Sequence, residues 1–281
     1  MAVKLRKKPK KITKRDMEIL VGVLCIALLA LLITILLLPR ENTAPGETTF
    51  PALPTKSSFQ LEKNPYGPND FHYENDYLAL RNGESLLGID VSAHQGQIDW
   101  QQVAQAGVKF VLIRVGYRGY GNGQLVADEM AQANYEGAQA AGLRIGAYIF
   151  SQATNVAEAL EEAEFLLEQT RGWQLDMPVV FDWEYISAEA RTANVDGPML
   201  TACTLAFCRE MERAGHIPMI YFNLDLAVNY LDMEQLARYR LWLALYSDQM
   251  TYPYQIDMWQ YTHTGTVPGI AGPVDINLYL P

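Results

Sequence analysis

MPVVFDWEY, spanning Met177–Tyr185, is a short apolar run that closes on two acids, Asp182 and Glu184. Its β-branched and aromatic residues show no polar alternation until the end. That pattern predicts a strand buried on both faces, as in a parallel sheet covered by helices. Runs of the same kind lie on either side of it. Gly88–Ser92, Lys109–Tyr117 and Arg144–Ser151 precede it, and His216–Asn223, Leu241–Ser247, Ile256–Thr262 and Asp275–Leu280 follow. Helical patterns fill the gaps at Asp99–Ala106, Ala127–Ala141, Asn155–Thr170, Pro198–Ala214 and Asp232–Tyr239, several of them stopped by glycine. Eight strands alternating with five helices predict an α/β fold, an irregular (β/α) barrel over residues 88–281. An open doubly wound sheet is the alternative. The last three strands lack full crossover helices, so the irregularity is expected there.

In such barrels the reactive groups gather at the C-terminal ends of the strands. Residues i and i+2 of a strand face the same side, so Asp182 and Glu184 should project together into the mouth, with Trp183 turned toward the helices. Two neighbouring carboxylates repel, and one keeps its proton at neutral pH. A proton donor beside an anion suits cleavage of a glycosidic bond. Asp90 and Asp275 add two more acids at strand ends. Tyr117, Tyr148, Tyr221, Asn223, Tyr246, Trp259 and Gln260 are the candidate substrate contacts: rings that stack on apolar sugar faces, amides that bond hydroxyls. The alternative for about half of these rings is ordinary core packing.

The N-terminal part has another character. Residues 1–15 carry eight Lys/Arg and no acid, and Ile19–Leu38 is an uncharged run of 20 residues. At ~1.5 Å per residue such a helix spans ~30 Å, the thickness of a hydrocarbon core. The sequence therefore predicts a basic cytoplasmic tail (1–18), a transmembrane helix (19–38) that anchors the chain in a lipid bilayer, and everything beyond on the outer side of the cell membrane. A cleaved signal peptide is the rival reading, though its apolar core is usually shorter. Six prolines between residues 39 and 69 predict an exposed linker, and residues 70–87, with Asn82-Gly83 as a turn signal, predict a short hairpin-like extension. The formal charge of the whole chain is −10, and from Pro39 onward it is −16, which argues against nucleic acid as a partner. Three cysteines cannot form a disulfide framework, and the four histidines have no metal-ligand spacing, so neither a disulfide-stapled domain nor a zinc enzyme is expected.

GIDVSAHQGQIDW, PVVFDWEY, AGHIPMIYFN, LWLALY and MWQYTHTGTVPGIAGPVDINLY, taken in order, resemble glycoside hydrolase family 25, the Chalaropsis-type lysozymes or N-acetylmuramidases. The resemblance covers about Leu87 to Pro281 and leaves out the anchor and linker. It implies an eight-stranded, five-helix barrel that hydrolyses the β-1,4 bond between N-acetylmuramic acid and N-acetylglucosamine in the glycan strands of peptidoglycan, without metal or cofactor; a monomer is expected. It implies retention of configuration, with Glu184 as general acid/base and Asp182 as its acidic partner. Asp90 of the GIDVS motif and Asp275 of the VDIN motif complete the catalytic set. Asp182 then either forms a covalent ester or orients the substrate's own N-acetyl oxygen, and the second is preferred here. Ile149 stands where many relatives carry His or Tyr, which implies a missing substrate contact. A chitinase-like enzyme and a silent wall-binding protein are the rival functions. Val179 and Val180 lie where a chitinase motif would need an aspartate, and retention of four motif acids speaks against silence.

Overall fold

The computed structural model describes residues 61–281. The predicted tail, transmembrane helix and most of the linker lie outside the described residues. Among the described residues no helix is long and apolar enough to cross a membrane.

Eleven strands are present among the described residues: β1 (Phe71–Glu74), β2 (Tyr77–Leu80), β3 (Leu86–Val91), β4 (Phe110–Arg118), β5 (Leu125–Ala127), β6 (Arg144–Ser151), β7 (Val179–Trp183), β8 (Pro218–Asn223), β9 (Arg240–Ala244), β10 (Met258–Gly265) and β11 (Val274–Tyr279). Eight of them close into a barrel in the order β3-β11-β10-β9-β8-β7-β6-β4, sealed by pairing of β3 with β4. The open-sheet alternative is thereby set aside. Six α-helices surround it: α1 (Trp100–Gln105), α2 (Ala131–Ala140), α3 (Val156–Gln169), α4 (Gly197–Arg213), α5 (Leu224–Asn229) and α6 (Met233–Leu236). The count corrects the predicted five. The additional helix, α5, begins at once where β8 ends, because the Asn223 side chain accepts from the Leu226 N–H at 2.9 Å and caps it. Asp99, Asn155 and Asp196 cap α1, α3 and α4 in the same way.

The predicted irregularity takes a definite form. Strands β3, β4 and β6–β10 run parallel, but β11 runs antiparallel to both its neighbours, β10 and β3. An antiparallel pair needs only a short return instead of a crossover helix. The reversal also carries the beginning of β11 to the end of the barrel where the other strands finish, and Asp275 pairs in register with Asp90.

Strand alternation divides the apolar residues into two layers. Val180 and its inward counterparts Phe110, Leu112, Met219, Trp242 and Met258 plug the barrel below the mouth. Val179, Phe181 and Trp183 belong to the shell between sheet and helices, together with Leu166 of α3 and Phe207 of α4. Each such buried side chain contributes about 1.5–3 kcal/mol. Cys203 and Cys208 sit in this shell as buried free thiols.

Strands β1 and β2 form a separate two-stranded hairpin. It reverses at Asn75-Asp76, both with positive φ (48° and 69°), as a tight type I′ turn requires. Asn82-Gly83, the turn expected from sequence, follows the second strand instead. Phe71 packs edge-on against Trp259 with centroids 5.1 Å apart, holding the hairpin to β10. The chain is already fixed before the hairpin: Lys63 bridges to Tyr254, and the Asn64 amide donates to the Tyr252 carbonyl at 3.0 Å.

Candidate active site

The mouth of the barrel holds a cavity of about 220 Å³ whose lining includes Asp90, Asp182, Glu184 and Asp275. Four acids therefore share one small site, and three different strands and one post-strand residue bring them there. Asp182 faces inward on β7, and Glu184, the first residue but one after it, continues the same face.

A polar floor supports the acids. Asp90 Oδ2 accepts from Gln260 Nε2 at 2.9 Å and from Asn277 Nδ2 at 2.8 Å. Asn277 Oδ1 in turn accepts from Trp242 Nε1 at 2.8 Å. Gln260 Oε1 accepts from the hydroxyls of Tyr221 at 2.9 Å and Tyr246 at 3.2 Å. Both amide side chains are thus oriented by tertiary partners, and each spends its N–H on Asp90. Asp182 differs: its Oδ1 is buried and meets no donor among the described residues.

The electrostatics follow from burial and crowding. Burial, then the charges of Glu184 and Asp90, push Asp182 well above the ordinary carboxylate range, against a pull from Arg114. Burial and the Asp275 charge raise Asp90, although Asn277 and Gln260 stabilise its anion. Glu184 is raised by burial and by Asp275. Asp275 is raised by burial, with His263 drawing it down. The group holds its protons to higher pH than separate carboxylates would, so an acid and an anion coexist in one cavity.

Glu184 is held from behind. Gln152, fully buried, donates from Nε2 to the Glu184 carbonyl at 2.8 Å and accepts from Thr192 Oγ1 at 3.0 Å. Arg191 donates to the Gln152 carbonyl at 2.5 Å and pairs with Glu158 of α3. Burial would raise Glu158, but bonds from Arg191 and Thr154 outweigh it and hold its carboxyl at about 2. A fixed ion pair on the first turn of α3 thereby locks the segment that carries Glu184.

Of the residues expected from sequence, Tyr148, Tyr221, Tyr246 and Gln260 line the acidic cavity together with the four acids. Three others do not. Trp259 is fully buried in the outer shell and donates to the Leu245 carbonyl at 2.7 Å. Neighbours on a strand face opposite sides, so Gln260 inward requires Trp259 outward. Asn223 spends its side chain on the α5 cap. Tyr117 lies in an adjoining cleft of about 740 Å³, after an irregularity in β4 between Arg114 and Gly116. Ile149 likewise points into the outer shell, so its apolar character removes no contact from the mouth.

Sequence reading missed Arg114, His94 and Phe150. All three line both the acidic cavity and the adjoining cleft. Arg114 pairs with buried Asp128 at 2.8 Å, and Asp128 also accepts from the Ala93 N–H at 3.0 Å, fixing the loop after β3. A cation inside the apolar run FVLIRVGY was the available signal, since an unpaired charge has no place in a barrel strand. Among the described residues no three His, Cys, Asp or Glu side chains are grouped to hold a metal ion.

Comparison with known proteins gives a consistent result. The model of the family described as glycosyl hydrolases family 25 matches residues 89–270, more than half of the chain. Lysozyme M1 of Streptomyces globisporus is 28% identical over 206 residues, covering 69% of this chain and 67% of that protein. The bacterial lysozyme from Streptomyces coelicolor superposes with a TM-score of 0.57 at 26% identity, over 70% of this chain and 93% of that one. The modular autolysin LytC from Streptococcus pneumoniae, solved with a synthetic peptidoglycan ligand, shares the fold with a TM-score of 0.64 at 24% identity. That match covers 75% of this chain and only 50% of the autolysin, so the present chain spans about half its length.

Proposed function

The chain belongs to glycosyl hydrolases family 25 and is a glycoside hydrolase; on that premise we propose that it cleaves the β-1,4 bond between N-acetylmuramic acid and N-acetylglucosamine in peptidoglycan. The observation that carries the reading is the convergence of Asp90, Asp182, Glu184 and Asp275 in one cavity at the barrel mouth. Names of matched proteins, Lysozyme M1 and N,O-diacetylmuramidase among them, agree with it.

Glu184 is the general acid. Burial and the Asp275 charge raise its proton affinity, and it gives its proton to the glycosidic oxygen as the bond to C1 breaks. The N-acetyl carbonyl oxygen of the muramic acid unit attacks C1 from the opposite face, forming a cyclic oxazolinium ion. Asp182, with a buried oxygen that meets no donor among the described residues, accepts from the N-acetyl N–H and stabilises the positive charge. Glu184, now an anion, takes a proton from water as the water oxygen attacks C1 and opens the ring, so configuration is retained. Asp90 and Asp275 hold the field of the cavity and bond substrate hydroxyls. Tyr148, Tyr221, Tyr246 and Gln260 position the sugar. We place this domain outside the cell membrane, as a monomer tethered by the predicted transmembrane helix 19–38, which brings it to the wall without electrostatic steering.

Purified peptidoglycan treated with the protein and analysed by mass spectrometry tests the reading. The expected products carry muramic acid at the reducing end, and N-acetylglucosamine reducing ends in its place overturn the bond assignment. A stable glycosyl ester on Asp182 would replace the substrate-assisted route with a covalent one.

A further inference from the structure

A second cleft, of about 520 Å³, opens beside the acidic cavity between the β1–β2 hairpin and β10, with Tyr73, Asp76, Tyr77, Tyr246, Asp248 and His263 in its walls. We propose that it is an accessory saccharide subsite, which seats a further sugar unit of the same glycan whose bond is cleaved at Glu184. The inference rests on the glycan-hydrolase reading above and adds a segment that precedes the family-matched residues.

Continuity is the first argument. Tyr246 lines both cavities. Its hydroxyl bonds Gln260 in the catalytic floor, and its ring packs on His263 at 4.4 Å on the other side. His263 in turn faces Asp275 closely enough to lower its proton affinity. A chain leaving the acidic cavity past Tyr246 therefore enters the second cleft directly. The acidic cavity, at about 220 Å³, is also smaller than the roughly 300–1,000 Å³ that usually encloses even a small ligand. A polysaccharide must lie across neighbouring surface.

Chemistry is the second. Tyr73 is 59% exposed and Tyr246 54%, so both rings offer an open face. The Asp76 and Asp248 carboxylates and the hydroxyls of Thr262 and Thr264 surround them. Flat apolar faces interleaved with hydrogen-bonding groups match a sugar ring, with its apolar C–H faces and its rim of hydroxyls.

Rigidity is the third. The hairpin's covering task is carried out by Phe71, Leu78 and Leu80, all buried. The Leu78 N–H donates to the Tyr261 hydroxyl at 3.3 Å, and the Tyr77 hydroxyl donates to the Thr266 carbonyl at 3.2 Å. Tyr73 pairs with Leu78 across this anchored hairpin, so its exposed ring is held at the rim beside a tight turn. A preorganised aromatic contact of this kind binds with little ordering cost.

The test uses the full chain carrying Glu184→Gln, with and without Tyr73→Ala, titrated with peptide-free tetrasaccharide and octasaccharide from peptidoglycan. Tyr73→Ala is expected to weaken octasaccharide binding by about three- to tenfold, the scale of one aromatic contact, and to leave the tetrasaccharide within about twofold. An unchanged octasaccharide affinity, an equal loss at both lengths, or Tyr73-dependent binding of an isolated stem peptide overturns the subsite. The wild-type full chain, assayed in parallel for release of reducing ends, tests the hydrolase reading by itself.

Discussion

Gln152 makes no contact with the acidic cavity, yet its loss should cost catalysis. Its Nε2 donates to the carbonyls of Glu184 at 2.8 Å and Ser151 at 2.9 Å, and its Oε1 accepts from Thr192 at 3.0 Å. In Gln152→Leu the volume is nearly kept and three hydrogen bonds disappear, leaving the buried Thr192 hydroxyl without its acceptor. At about 0.5–1.5 kcal/mol for each bond and about 1–3 kcal/mol for the orphaned group, the variant should lose about 2.5–7.5 kcal/mol of stability by urea denaturation. Glu184 is the residue directly after β7, and this carbonyl bond restrains its backbone. A displacement near 1 Å costs on the order of a hundredfold in rate, so kcat for release of muropeptide reducing ends should fall about that much while KM changes little. Gln152→Glu separates positioning from packing. Its carboxylate sets an acceptor against the Glu184 carbonyl, so near neutral pH it should be as impaired as the leucine variant. It should recover relative to wild type as the pH falls and the carboxyl regains a proton to donate. A folded Gln152→Leu protein with kcat within about twofold of wild type would refute the positioning argument.

Glu184→Gln should lower release of reducing ends by about 10²–10⁴ with an unchanged circular dichroism spectrum, and undiminished activity removes Glu184 from its role. Asp275→Asn should move the alkaline limb of kcat/KM to lower pH, because the Asp275 charge, after burial, is what raises Glu184; a limb that stays in place contradicts this coupling. Stability against pH offers a further check. The buried acids are raised in the folded state, so the folded chain binds more protons than the unfolded one. Their contribution is therefore greatest below the ordinary carboxylate range and is lost as pH rises through the raised values. Asp182→Asn should flatten that decline in urea midpoints measured between acid and neutral pH, and an undiminished slope assigns it to other groups.

The sequence by itself determined the alternation of strands and helices, and with it the α/β class, because apolar run length and glycine stops are local properties; closure into a barrel rather than an open sheet came from the pairing of β3 with β4. It also determined that Asp182 and Glu184 share a face, since two-residue periodicity within one strand needs no partner. The same rule, applied to β10, already excludes Trp259 once Gln260 is inward. What the tertiary structure alone decided was every relation between strands. The reversal of β11 sets Asp275 opposite Asp90, which local pattern cannot express because strand direction is fixed by pairing. The bonds of Asn277 and Gln260 to Asp90 join residues 187 and 170 positions apart. Hydrogen bonds, desolvation and charge repulsion act through distances in space, and only closure of the barrel brings these groups within reach of one another.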